Sequence, residues 1–136
     1  MYLGEAGGGG VLYGPDEQLK LTYSWNLGTE TNNVAEAWAL WQGLVQASNL
    51  GIQELSVVGD SRVIIQAVNT KVLPSSSHLN QILRRILEML PNFQFIEFFH
   101  ALRAFNEPAD RAANDAIGLS QGTLVINGEY KIFLVP

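Results

Sequence analysis

The stretch "TNNVAEAWALWQGLVQASNLGIQELSVVGDSRVIIQAVNT", residues 31–70, decides the fold class. Ala37, Leu40, Trp41 and Leu44 recur at helical spacing, so the first half reads as an amphipathic helix. Asn33 and Glu36 fit a capping box at its start, and Gly51 falls where a helix C′ residue belongs. "IQELSVVGD" follows as a buried strand ending on Asp60, and "SRVIIQAVNT" as a short helix that Ser61 is suited to cap. Helices alternating directly with strands call for a parallel sheet covered by helices, an α/β arrangement.

Upstream of this stretch, "GGVLYG" reads as a short strand, "PDEQ" as a turn and "LKLTYSWNLG" as an alternating strand, which together make an antiparallel hairpin. Downstream, "HLNQILRRILEML" is an amphipathic helix with Leu79, Ile82, Leu83, Ile86 and Leu90 inward, and "NFQFIEFFHAL" is an aromatic-rich strand. "NEPADRAANDAIGL" closes the pattern as a helix, with Asn106 as cap and Pro108 in the first turn. The tail "TLVINGEYKIFLVP" sets Asn127-Gly128 between apolar runs, the signal of a type I′ hairpin. No repeat, low-complexity linker or composition shift divides the 136 residues, so one domain over 1–136 is expected, with 120–136 as a hairpin-like extension.

Composition narrows the partners. Charged residues make up only 15% of the chain and apolar ones 47%, as in a globular protein with a real core. A formal net charge of −5 gives no global positive field, so nucleic-acid binding would rest on local basic groups or on metal ions. The absence of cysteine excludes disulfides, thiolate metal sites and a cysteine nucleophile. No apolar run approaches a membrane span and the start lacks signal-peptide character, which predicts an intracellular protein, nuclear or cytoplasmic and not secreted. The opening "GEAGGGGVLYGP" makes a poor phosphate loop, having neither its lysine nor a helix directly after it.

Three acids stand at the ends of elements: Glu36 in a first helical turn, Asp60 at a strand's carboxyl end and Asp110 in the first turn of the last helix. Each has a structural alternative, as a capping-box acid, the residue before a cap, or a charge favoured by the helix dipole. Jointly they suggest more, because ligands of open α/β sheets gather beyond the carboxyl ends of parallel strands. Oxygen ligands converging there would suit a hard cation such as Mg²⁺.

The segments "TNNVAEAWAL", "VVGDSRVIIQAV" and "HALRAFNEPADRAAND" resemble, in order and spacing, three motifs of the type 1 ribonuclease H family, most closely its plant, archaeal and retroelement-like branch. The resemblance runs from about Gly4 to about Leu119 and implies a ribonuclease H-like fold: a mixed sheet combining an antiparallel hairpin with parallel strands, flanked by helices. It implies cleavage of the RNA strand of RNA–DNA hybrids with two Mg²⁺ ions, or Mn²⁺ in their place. Glu36, Asp60 and Asp110 then correspond to the second, third and fourth metal-binding carboxylates, and His100 to a histidine that assists proton transfer or product release. The resemblance also places Asn32, Asn33, Ser61, Arg62, Arg103 and Asn106 at substrate-contacting positions. Their structural alternatives are helix capping for Asn33 and exposed helix surface for Arg62; Arg84 and Arg85 read as a phosphate patch or as a solvated helix face.

One motif does not match. Aligned with the family's opening pattern D-G-S-x-x-G-N-P-G, Gly4 takes the last glycine of the turn, so the first aspartate and its central strand would lie before Met1 and Glu5 would fall in the turn. The expectation is a chain lacking the first carboxylate, through truncation or a misplaced start, with "YKIFLVP" filling the gap either within a monomer or by strand exchange in a dimer. Two functions follow as expectations: an impaired hybrid nuclease, or a degenerate nucleic-acid-binding or interaction module left by a retroelement. With few lysines and no basic protrusion, hybrid binding is expected to be weak and salt-sensitive.

Overall fold

The computed structural model describes residues 2–6, 8–14, 18–27, 31–59, 61–100, 111, 123–126 and 129–132. Along the chain, strands β1 (Tyr2–Ala6), β2 (Gly9–Tyr13) and β3 (Leu19–Trp25) precede helix α1 (Asn32–Asn49). Strand β4 (Glu54–Gly59), helices α2 (Arg62–Thr70) and α3 (Ser77–Met89) and strand β5 (Phe95–His100) follow, then β6 (Thr123–Ile126) and β7 (Glu129–Ile132). Among the described residues the strands form one sheet in the order β5-β4-β1-β2-β3-β6-β7. Neighbours β1, β4 and β5 are mutually parallel and the remaining pairs antiparallel, the mixed sheet expected from the sequence.

Three expectations are corrected by this topology. The centre of the sheet holds β1, paired with β4 on one side and β2 on the other, so no central strand is missing. The chain reverses between Ala6 and Gly9 through Gly8, whose φ of 87° is one that glycine adopts without a Cβ penalty. That short connection uses the glycine run itself as the turn, and Glu5 therefore lies within a strand and not in the turn. The tail does not fill a gap either: β6 pairs with β3 and β7 with β6, adding a hairpin to the opposite side of the sheet. Strand β3 would otherwise expose an unpaired edge there, and Trp25 opposite Leu124 begins the covering.

The core lies between the sheet and α1, α2 and α3. Leu3, Leu12, Leu21 and Tyr23 from the sheet meet Ala37, Leu40, Leu44 and Ala47 of α1, while Leu79, Ile82, Leu83 and Ile86 form the buried stripe of α3. Tyr23 fixes how closely α1 approaches. Its hydroxyl donates to the Ala39 carbonyl at 2.6 Å, crossing from strand to helix inside the core. Glycines flank that phenol on both sides: a Cβ on Gly10 would overlap the ring, and one on Gly43 would come within 2.7 Å of its oxygen and 2.6 Å of Leu3 Cδ2.

Gly43→Ala is therefore expected to lower stability by about 1–3 kcal/mol through overpacking, even though alanine is the better helix former. Tyr23→Phe alone should cost about 1 kcal/mol for the lost hydrogen bond. The double variant should be less destabilised than the two single losses combined, because removing the hydroxyl relieves part of the clash. Urea unfolding of the four proteins measures this; strict additivity would show that Gly43 is not packed against Tyr23.

Candidate active site at the carboxyl edge of the parallel strands

Strands β1, β4 and β5 run in the same direction and end together, so the residues following each strand gather at one edge of the sheet. Glu5 pairs in register with Gly59, and Gly59 with His100, continuing a row that runs through Gly10 to Tyr23. His100 thus stands exposed at the end of β5, beside the strand end that leads into Asp60.

The amino end of α1 is tied to this edge by a hydrogen bond between side chains far apart in sequence. Ser61 Oγ donates to Asn33 Oδ1 at 3.1 Å, joining the first turn of α1 to the residue that begins α2. The same Ser61 oxygen accepts from the Ile64 backbone N–H at 3.4 Å, so one hydroxyl both caps α2 and holds α1. The cap expected at Asn33 is supplied instead by Thr31, whose Oγ1 accepts from the Val34 N–H at 3.3 Å. Helix α1 begins earlier than the capping-box reading placed it, which releases the Asn33 side chain for this cross-link. A threonine directly before the helix was a sufficient signal, since threonine is itself a preferred cap.

Glu36 changes character for the same reason. Once Thr31 is the cap, Glu36 sits one turn inside the helix, where it is only 7% exposed, on the side that packs against the sheet. An ionised carboxylate at that depth is expensive without a compensating charge or hydrogen bonds. At the starts of α1 and α2 the side chains of Asn32, Asn33 and Arg62 are exposed and that of Ser61 is half-buried. Two helix amino ends open on this edge, and their N–H groups and dipoles favour an anionic ligand such as a phosphodiester.

Of the residues expected at the site, Asn32, Asn33, Glu36, Ser61 and Arg62 are thus gathered at the starts of α1 and α2, and His100 ends the strand next to β4. Asp60, Arg103, Asn106 and Asp110 lie outside the described residues. Among the described residues no group of three or more potential ligand side chains forms a metal site. Glu5, expected in a turn, enters the row beside Gly59, and only the pairing of β1 reveals that position. No described helix is long and apolar enough to cross a membrane.

Known proteins share this fold. The model of the reverse transcriptase-like family matches residues 2–116. A ribonuclease HI of Halobacterium salinarum is 31% identical over 114 residues, which cover 84% of this chain and 57% of that protein. A bifunctional protein of Mycobacterium tuberculosis is 33% identical over 115 residues, so that the chain spans about a third of the length of this mycobacterial relative, 32%. Among solved structures, the ribonuclease H1 of Halobacterium salinarum superposes with a TM-score of 0.77 at 28% identity, covering 85% of this chain and 94% of that one. LC11-RNase H1 in complex with an RNA/DNA hybrid gives 0.74 at 25% identity, covering 80% and 83%. The hairpin of β6 and β7 lies beyond the residues that the family model matches.

The capping assignment has a direct check. Thr31→Ala should cost about 1 kcal/mol in urea unfolding, and Ser61→Ala a similar amount because it uncaps α2. Asn33→Ala should cost only a few tenths, as an exposed residue outside the cap position does. A loss at Asn33 equal to that at Thr31 would return the cap to Asn33.

Proposed function

The chain belongs to the reverse transcriptase-like family, in its type 1 ribonuclease H branch, and on that premise we propose that it is a metal-dependent endonuclease acting on the RNA strand of RNA–DNA hybrids. The observation that carries this reading is the clasp of Asn33 and Ser61, which brings the helix bearing the buried Glu36 to the strand end that leads into Asp60, with His100 one strand away. The complex of LC11-RNase H1 with an RNA/DNA hybrid supports the choice of substrate.

The donor chemistry fits a hard divalent cation. Carboxylate oxygens are the ligands Mg²⁺ prefers, and a cation at this edge would offset the cost of an ionised Glu36 at its depth. Glu36, Asp60 and Asp110 would hold it, and when bound it would lower the pKa of a water and stabilise the leaving oxygen. The remaining roles belong to the chain's own side chains. Asn32 and Asn33, exposed at the start of α1, would contact 2′-hydroxyls across a minor groove, the feature that separates RNA from DNA. Arg62 through its guanidinium and Ser61 through its backbone N–H would grip a phosphate at the start of α2, and Arg103 and Asn106 would complete the substrate contacts. His100 would carry a proton to or from the reacting strand or help release product.

Cleavage is proposed to be impaired, because the central strand carries no aspartate and its acid is Glu5, one methylene longer. With a net charge of −5 and only 8 lysines and arginines, hybrid binding should also be weak.

The test is Mg²⁺-dependent cutting of a hybrid labelled on its RNA strand. Glu36→Gln and Asp60→Asn should abolish cutting, EDTA should do the same, and His100→Ala should slow it about 100-fold with binding retained. Hybrid binding without cutting at any Mg²⁺ or Mn²⁺ concentration would reassign the chain to a degenerate binding module.

A further inference from the structure

On the outer side of α1 and α3, well away from the edge just described, Gln81, Arg84, Arg85, Glu88 and Met89 line a groove of about 680 Å³ with Trp41 as its opposite wall. The α3 residues recur at the spacing of one helical face, a second stripe beside the buried one of Leu79, Ile82, Leu83 and Ile86. Trp41 stands nine positions after Asn32, about 13 Å along α1 from its amino end.

We propose that this groove binds single-stranded nucleic acid, with Trp41 as a stacking platform for a base and Arg84 and Arg85 as phosphate contacts. The proposal takes only the class of ligand from the nuclease reading; its residues are separate from those of the cleavage site.

Both arginines are held in place by uncharged partners. Arg84 Nε donates to Asn80 Oδ1 at 2.6 Å, which fixes the guanidinium and leaves its terminal nitrogens for a ligand. The Arg85 guanidinium lies 5.8 Å from the centre of the Trp38 ring, a cation–π arrangement that keeps its charge uncompensated. Glu88 lies within one turn of both, yet among the described residues neither arginine forms an ion pair. In a chain with only 8 lysines and arginines and a net charge of −5, two adjacent pre-positioned guanidiniums form a local exception to the acidic surface.

The aromatic wall is equally fixed. Trp41 packs edge-on against Trp38, centroids 5.6 Å apart at 80°, and lies tilted against Trp25 at 6.3 Å. It is half-buried, so part of its surface stays open to the groove. A rigid aromatic surface beside arginines is the combination that holds single strands, whose unpaired bases offer faces to stack; a duplex keeps those faces inside. The volume is also within the range of ordinary ligand sites.

The experiment is fluorescence anisotropy of a short labelled oligouridine titrated with the full chain without divalent metal, at several salt concentrations. Arg84→Gln and Arg85→Gln should each weaken binding and each lower the slope of log affinity against log salt by about 0.7. Trp41→Leu should weaken it about tenfold with the slope unchanged. Glu88→Gln should tighten binding, and hybrid cleavage should be the same in all four variants. Oligouridine binding that is absent in the parent chain, or unaltered by Arg84→Gln, overturns the proposal. Arg84 is exposed, so that variant keeps the test valid even if Trp41→Leu disturbs the tryptophan cluster. Oligouridine binding with the expected variant pattern in a chain that cuts no hybrid would uphold the groove while the nuclease reading fails.

Discussion

The separation between α1 and the sheet is set by one side chain. Tyr23 reaches from β3 to the Ala39 carbonyl, and it fits there only because Gly10 beneath it and Gly43 beside it lack side-chain atoms. That contact seats α1 over β1 and β2, and Leu3 packs into the same space. Everything proposed for the catalytic edge depends on this seating, since Glu36 lies on the turn of α1 just before Ala39. A helix held slightly farther out would leave Glu36 in solvent and Asn33 beyond reach of Ser61.

The edge itself is built by two kinds of constraint. Backbone pairing aligns the ends of β1, β4 and β5, a rigid arrangement because each of the three is locked to a neighbour along its length. A side-chain clasp then fastens the helix to this frame, with Ser61 acting on α1 and α2 together. Surface hydrogen bonds contribute modestly to stability, about 1 kcal/mol or less, so the value of this one lies in positioning. It ties the first turn of α1 to the residue that caps α2.

The acidic balance of the chain separates two surfaces. The edge where β1, β4 and β5 end is proposed to hold carboxylates, which would need cations before a polyanion could approach. The groove between α1 and α3 presents two arginines that form no ion pair among the described residues. On these two proposals, the surfaces would differ in their dependence on divalent metal.

Local spacing in the sequence was enough for the helices α1, α2 and α3, the strands β2 to β5, the buried stripe of α3 and the tail hairpin, because each is a repeat of apolar residues or a turn signal within a few positions. The motifs that relate the chain to its family were legible for the same reason: they are contiguous strings. What spacing could not decide was which segments pair. Tyr2–Ala6 is too short and too glycine-flanked to announce a central strand, and it becomes one by lying between β4 and β2. The tail is apolar enough for several edges, and the open side of β3 decided its place. Likewise Thr31 and Asn33 are both good caps in isolation; the nearness of Ser61, distant in sequence, accompanies the choice of Thr31 and gives Asn33 its other partner. Residue types and order are written in the chain, whereas the choice among equally suited partners rests on long-range backbone pairing and close packing, which exist only once the sheet has formed.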